Sequence, residues 1–301
     1  MALLASYILP HCPVAIPEVG RGQERALPQT EEGFEKVAKE IASLHPDTIV
    51  IASPHAESYS DYFQMADGET ATGSLQEYGA PQIRFRLHYD DALRKTIAQL
   101  ASARQFPAGY DSSEDPVLDH GTMVPLYFIN REYQNYKIVR LGLSGLSLFS
   151  HYKMGMIIAD AAAKSGERVV FIASGDMSHC LSKDGIYGYR SEGARYEELL
   201  SKSLKTANFG DLLRMDRRIS HARKNADTAL FQCLQEPLTE KRFKRLFIAM
   251  KRLLESDMGF MDMLFLGIMD QGPSANFINP RFFFPFKRKR KNPMSMSSLP
   301  I

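Results

Sequence analysis

The chain has 301 residues, of which 44% are hydrophobic and 24% are charged. These values exclude collagen-like, coiled-coil and wholly disordered proteins, and a formal net charge of +2 gives no reason to expect a nucleic-acid or membrane partner. Three cysteines are too few for a disulfide framework, no apolar run reaches the roughly 20 residues of a membrane span, and MALLASYILPHCP lacks the basic start of a signal peptide. We therefore expect a cytoplasmic protein.

Short apolar runs that end in polar turns alternate with amphipathic stretches along the first 224 residues. In chain order, the predicted elements are strand Ala5–Leu9, helix 31–45, strand Thr48–His55, helix Tyr89–Arg104, strand Tyr136–Leu143, helix Ser147–Lys164, strand Arg168–Ser178 and helix Glu192–Thr206. Thr30 and Ser147 are the predicted N-caps of their helices. The alternation predicts an α/β layered domain with a largely parallel central sheet flanked by helices.

Four of the eight histidines lie in turns beside apolar runs. They are His11 in LPHCP, His55 in IASPH, His120 in LDHGTMVP and His179 in IASGDMSH. Open parallel sheets bind ligands beyond the carboxyl ends of their strands, and neutral imidazole is the commonest metal ligand and a proton carrier near neutral pH. The four histidines therefore predict a site that holds a divalent metal and moves protons, although a hydrogen-bonded turn is an open alternative for each.

The remaining polar candidates have plainer interpretations. The other four histidines are expected at the surface: His45, His88, His151 and His221. Asp119 and Asp176 can orient neighbouring imidazoles or cap turns, and both interpretations stay open. Cys12 and Cys180 are expected to be small buried hydrophobes, because a Cys/His zinc site needs closer paired spacing.

The motifs LPHCPVAIPEVGRG, HPDTIVIASPH, LDHGTMVPLYF and VVFIASGDMSHCL occur in this order. Together they resemble the LigB-like superfamily of class III extradiol dioxygenases. The motifs GAPQIRF, LGLSGLS and DGIYGY are most similar to the dioxygenase-like domain of AmmeMemoRadiSam system proteins, which is Memo-like. The resemblance runs from Leu9 to Asp216 and implies a LigB/Memo-like fold.

The resemblance also implies an activity: a non-haem Fe(II)-dependent extradiol ring-cleavage oxidoreductase that acts on a small catecholic substrate and O2. It implies that His11 and His55 bind the metal and that His120 and His179 are catalytic, although Memo proteins group the histidine matching His179 with the metal ligands. The alternative is a metal-binding or protein-modification partner in the AmmeMemoRadiSam system without ring cleavage. A homo-oligomer is compatible with either function.

The composition changes abruptly at Asn225. Residues 225–301 contain twelve Lys and Arg against seven Asp and Glu, and they contain no Val, Tyr or His. The family's metal-binding glutamate should follow NFGDLLRMD near Lys224–Asp227, where the sequence has none, and Glu255 or Asp257 would be weak substitutes. We therefore expect a LigB-like domain over 1–224 and an atypical segment over 225–301 that is out of frame and poorly ordered.

The last segment has two other interpretations. EKRFKRLFIAMKRLLES has the spacing of a basic amphipathic helix for a membrane surface or a partner, and KRKRK has the composition of a nucleic-acid patch. Nothing in the rest of the chain supports either interaction, so neither membrane nor nucleic acid is an expected partner. A chain without the carboxylate ligand should bind iron weakly and turn over poorly.

We predict a reading-frame slip near residue 223. Codons for Arg223–Asp227, displaced by two nucleotides, can encode Glu-Glu-Cys-Gly, and the same frame through 248–262 can encode Phe-Gly-Val-Gly-Tyr-Gly, both of which are family motifs. Sequencing the gene across these codons tests the prediction. An intact reading frame with codons that do not encode these motifs contradicts it.

Overall fold

A four-stranded parallel sheet forms the centre of the protein in the computed structural model, which describes residues 3–111, 116–175, 183 and 188–206. Its strands are β1 (Leu3–Leu9), β2 (Thr48–Ala52), β7 (Lys137–Leu141) and β8 (Val169–Ser174). Their order is β1-β8-β2-β7, and each neighbouring pair is parallel. The predicted α/β fold with a parallel central sheet is confirmed.

Helices connect the strands and cover both faces of this sheet. They are α1 (Pro17–Gly20), α2 (Pro28–Leu44), α3 (Asp91–Ala103), α4 (His120–Asn130), α5 (Leu148–Ser165) and α6 (Ser191–Thr206). Ser147 caps α5 as predicted, because its side chain accepts a hydrogen bond from the Ser150 backbone amide. The predicted Thr30 cap is wrong: α2 begins at Pro28, where a fixed φ favours the first helical position, and Thr30 is buried in the first turn.

Two hydrophobic cores lie on opposite faces of the sheet. Alternate residues of each strand point to opposite faces, so Ile49 and Ile51 join one core while Val50 and Ala52 join the other. Helices α2 and α4 contribute to the first core, where the rings of Phe34 and Phe128 stack with centroids 4.0 Å apart. Helices α3 and α5 contribute to the second. The sheet is therefore a rigid support, and its strand ends emerge between the two helical layers.

Four further strands were not predicted from the sequence. They are β3 (Phe63–Gln64), β4 (Thr70–Leu75), β5 (Ala80–His88) and β6 (Ala108–Gly109). Strands β4 and β5 form an antiparallel hairpin. The backbone amide of Leu118 donates to the carbonyl oxygen of Thr72 at 2.8 Å, so the hairpin holds the segment that leads into α4.

The burial of His151 differs from the prediction. It was expected at the surface, but it is fully buried on α5, where its Nδ1 lies 3.0 Å from the Ser147 carbonyl oxygen and the Ser144 amide donates to its Nε2. His45 and His88 are exposed as expected, and Cys12 is buried as expected. His221, the boundary at 224 and the segment 225–301 lie outside the described residues and stay predictions.

None of the described helices combines the length and the apolar character needed to cross a bilayer.

The stacked pair between α2 and α4 gives a stability prediction. Phe128→Ala should lower the free energy of unfolding by about 3–5 kcal/mol, because it removes a buried ring and leaves a cavity against Phe34. Urea denaturation measures this loss. Phe149→Ala is the matched control, since Phe149 is 53% exposed and should change stability by less than about 1 kcal/mol. Equal losses in the two variants would contradict the described packing.

Candidate metal centre

The parallel register brings distant parts of the chain to one edge of the sheet. Leu9 at the end of β1 is aligned with Ser174 of β8, and Ala173 of β8 is aligned with Ala52 of β2. His11 follows β1 by two residues, and His55 follows β2 by three. Side chains that are far apart in sequence are therefore neighbours at the carboxyl edge of the sheet, where such sheets place ligands.

Three of the four predicted histidines form one cluster. His11, His55 and His120 each offer a ligand nitrogen, and these nitrogens lie within 4.8 Å of one another. The Nε2 atoms of His11 and His55 are 3.2 Å apart. The His55 and His120 ring centroids are 3.9 Å apart, and His11 is 1% exposed. The convergence predicted from the sequence is confirmed for these three residues.

The distances between the ligand nitrogens fit a single metal ion held by His11 and His55 better than one held by all three histidines. Two imidazole nitrogens that each lie about 2.1 Å from one metal ion are separated by about 3.0–3.4 Å at tetrahedral or octahedral angles and by at most about 4.2 Å. The 3.2 Å between His11 and His55 fits this range. His120 lies close enough to become a ligand after a small shift or to reach a molecule bound beside the metal.

A largely buried carboxylate, that of Asp119, lies next to the cluster. Asp119 caps α4, and its Oδ1 accepts hydrogen bonds from the Thr122 amide at 3.0 Å and from the Ser53 hydroxyl at 2.5 Å. Its Oδ2 lies 3.4 Å from Nη1 of Arg140, whose side chain is 1% exposed. The same Nη1 donates to the Val117 carbonyl oxygen at 2.5 Å. Of the two roles left open by its sequence position, Asp119 therefore fills the cap of the helix, and its charge also interacts with the His55 and His120 imidazoles. The predicted orienting role stays a prediction.

The environment of Asp119 keeps it charged. Burial raises the pKa of this carboxyl group. The Arg140 guanidinium, the His55 and His120 imidazoles and the hydrogen bond from Ser53 together lower the pKa by more than burial raises it, so it lies below its usual range. The negative charge next to two imidazoles favours a bound cation at the cluster.

Glycine at position 121 is required by the close packing behind the cluster. A Cβ atom there would contact the Ser53 hydroxyl, lie 3.0 Å from Oδ1 of Asp119 and lie 3.1 Å from Cδ2 of His55. The His-Gly pair at the start of α4 therefore lets His55 and the Asp119 network approach the helix.

Two serines that the sequence analysis did not single out also contact the cluster. The Ser53 hydroxyl, which donates to Asp119, accepts from the His55 backbone amide at 3.2 Å. Ser174 Oγ lies 3.2 Å from Nδ1 of His11. A signal was present, because both serines end an Ile-Ala-Ser sequence, once in IASPH and once in IASGDMSH.

Tyr78 is another neighbour that the sequence analysis missed. Its half-buried ring lies 5.5 Å from the ring of His120, centroid to centroid, in the short turn between β4 and β5. It precedes the motif GAPQIRF, but no spacing linked it to the histidines. His179, Asp176 and Cys180 lie outside the described residues, so their predicted roles stay predictions.

A parallel α/β sheet with converging imidazoles at its carboxyl edge defines a class of proteins suited to binding a metal ion and a small ligand. The chain belongs to the family of the catalytic LigB subunit of aromatic ring-opening dioxygenases, which matches residues 5–233. The fold is therefore that of dioxygenase-like enzymes, as the resemblance implied.

Two other proteins are similar to this chain. Protein CA_C1420 of Clostridium acetobutylicum is 36% identical over 251 residues, which cover 81% of this chain and 54% of that protein. The chain thus spans about half the length of this curated relative. The crystal structure of the uncharacterized protein JW3007 from Escherichia coli K12 has 18% sequence identity and a TM-score of 0.45, with 68% of this chain and 84% of that chain covered.

The buried ion pair gives a prediction for the site. Arg140→Met should lower the free energy of unfolding by about 3 kcal/mol, because it leaves the largely buried Asp119 carboxylate without its guanidinium partner. Chemical denaturation at neutral pH measures the change. Arg86→Met, on the exposed side of β5, is the matched control and should change stability by less than about 0.5 kcal/mol. A wild-type stability for Arg140→Met would mean that the pair does not support the fold.

Proposed function

We propose that this chain is a non-haem Fe(II)-dependent, extradiol-type oxidoreductase that opens the ring of a small catecholic substrate with O2, with an activity impaired by the loss of the metal carboxylate. His11 and His55 are the metal ligands, and His120 and His179 are the catalytic residues that handle protons. The observation that carries the proposal is the 3.2 Å separation of the His11 and His55 Nε2 atoms beside His120 in a ring-opening dioxygenase family fold.

The donor set suits a metal ion such as iron. Imidazole is a good ligand for Fe(II), and the chemistry that such an ion would supply is a set of open positions where catecholate oxygens and O2 bind side by side. His11 is buried and so presents a fixed nitrogen, whereas His55 and His120 are half-buried and remain accessible to a small molecule. The chain therefore provides one anchored ligand and two imidazoles at the open side.

Proton transfer is the second requirement of the reaction. Ring opening by O2 places both oxygen atoms in the product, so it needs no outside reductant, but a catechol hydroxyl must lose a proton and a later step must receive one. His120 begins α4 next to the charged Asp119, and an imidazole in that position can accept a proton and return it. His179 is proposed to share this work on the strength of the resemblance alone.

A second candidate function is a metal-binding or protein-modification partner in an AmmeMemoRadiSam-type system, without ring cleavage. It is supported by the motifs GAPQIRF, LGLSGLS and DGIYGY, which resemble the dioxygenase-like domain of AmmeMemoRadiSam system proteins. Both candidates use the same histidine cluster. They differ in whether a catechol is consumed.

Metal binding and oxygen uptake test the proposal. Anaerobic Fe(II) titration of the full chain should show one site, and His11→Ala or His55→Ala should weaken binding by at least about 100-fold, because each removes a ligand nitrogen. His88→Ala, an exposed histidine on β5, is the matched control and should leave binding unchanged. Oxygen electrodes with a panel of catechols then measure turnover in the iron-loaded protein.

The outcomes separate the candidates. Catechol-dependent oxygen uptake that is lost in His120→Ala supports ring cleavage, whereas tight iron binding without uptake for any catechol favours the second candidate. Tight stoichiometric iron binding with fast cleavage would contradict the expectation that the missing carboxylate impairs this chain. Iron binding that is equal in His11→Ala and wild type would overturn the proposed metal centre.

A further inference from the structure

Ser174 contacts two parts of the metal centre at once. It is fully buried at the end of β8, and its Oγ lies 3.2 Å from Nδ1 of His11. The same hydroxyl donates a hydrogen bond to the carbonyl oxygen of Gly121, the residue after His120. A single side chain therefore links the loop that carries His11 to the helix that carries His120.

The sequence of α4 explains why the Gly121 carbonyl is available for Ser174. In an α-helix this oxygen would accept from the backbone amide four residues later, which is position 125. That position is Pro125, which has no amide hydrogen to donate. The Gly121 carbonyl is buried, and a buried carbonyl without a partner is costly, so the Ser174 hydroxyl satisfies it.

The single hydrogen of the Ser174 hydroxyl determines which ring nitrogen of His11 carries a hydrogen. A serine hydroxyl carries one hydrogen, and here that hydrogen goes to Gly121. Toward His11 the Ser174 oxygen can only accept, so Nδ1 of His11 must carry the hydrogen of their contact. A neutral imidazole with its hydrogen on Nδ1 has its lone pair on Nε2, which is the atom that lies 3.2 Å from Nε2 of His55.

We propose that Ser174 is a positioning residue that holds His11 in the Nδ1–H tautomer, so that the Nε2 lone pair is aimed at the metal position between His11 and His55. The proposal rests on the proposed metal centre. Ser174 itself touches neither metal nor substrate and acts only through the imidazole.

The surroundings of Ser174 keep this arrangement rigid. It is aligned with Leu9 of β1, and the Gly175 amide donates to the Leu9 carbonyl oxygen at 3.0 Å, so the two strand ends are joined two residues before His11. A hydroxyl fixed in this way can select a tautomer, because it has no room to rotate its hydrogen toward His11 without abandoning Gly121. Mutation of a residue that hydrogen-bonds to a metal-binding imidazole commonly weakens metal affinity by a factor of about 10–100.

The tautomer is measured directly by long-range ¹H–¹⁵N NMR of the imidazoles in the metal-free chain at about pH 8, where histidine is neutral. The His11 signals are assigned by their loss in His11→Gln. Wild type should show the hydrogen on Nδ1, and Ser174→Ala should show a large fraction with the hydrogen on Nε2. An unchanged Nδ1–H state in Ser174→Ala would overturn the proposal.

Metal affinity provides the second readout, with Co²⁺ as the probe because its binding is followed by visible absorption. Ser174→Ala should weaken Co²⁺ binding by about 10–100-fold, and Ser174→Thr, which keeps the hydroxyl, should restore most of it. Ser6→Ala is the matched control: Ser6 is also buried, on β1, and its hydroxyl has no hydrogen-bond partner among the described residues. Ser6→Ala should leave Co²⁺ binding unchanged.

The two readouts separate this proposal from the metal centre on which it rests. A wild-type chain that binds no Co²⁺ would end the proposed metal centre, whereas the NMR experiment would still decide whether Ser174 selects the tautomer. A Co²⁺ affinity that is equal in wild type and Ser174→Ala, with wild type binding normally, would overturn the positioning role and leave the metal centre intact. Weakened binding without a tautomer change would show a purely structural role and would equally overturn it.

Discussion

Every feature of the candidate site depends on the parallel alignment of β1, β8 and β2. Because these strands run in the same direction and end at the same level, the residues that follow them meet at one edge of the sheet. A one-residue shift in register would turn the strand side chains to the opposite face and move them out of their cores. The hydrophobic cores on both faces therefore set the positions of His11 and His55, although neither histidine belongs to a core.

The charged support behind the cluster is the second constraint. The Asp119 carboxylate is held by a helix amide, two hydroxyls and a buried guanidinium, so its charge is maintained in a poorly solvated region. A fixed negative charge beside imidazoles favours cations over anions at the cluster. It also couples function to folding, because Arg140 on β7 stabilises both the fold and the electrostatic environment of the histidines.

The two Ile-Ala-Ser sequences have equivalent positions in the folded chain. In the sequence they are isolated, since more than a hundred residues separate them. In the structure, β2 and β8 are neighbours, and each sequence ends with a serine that contacts one metal-ligand candidate. Ser53 contacts the His55 backbone and Asp119, whereas Ser174 contacts the His11 ring. At the end of β2 the same three-residue sequence thus supports His55, and at the end of β8 it supports His11.

Local patterns in the sequence were sufficient to predict the α/β class, the four central strands and the family, because apolar runs, polar turns and ordered motifs are local features. They also selected His11, His55, His120 and His179 as a group from their similar settings, and the structure describes the first three. The folded chain was needed to show that His151 is buried, that β4 and β5 form a hairpin beside α4, and that Ser174 and Arg140 support the cluster. Those facts depend mainly on contacts between residues far apart in the chain. Apart from the repeated Ile-Ala-Ser sequence that ends at Ser174, they leave no periodic or local signal in the sequence.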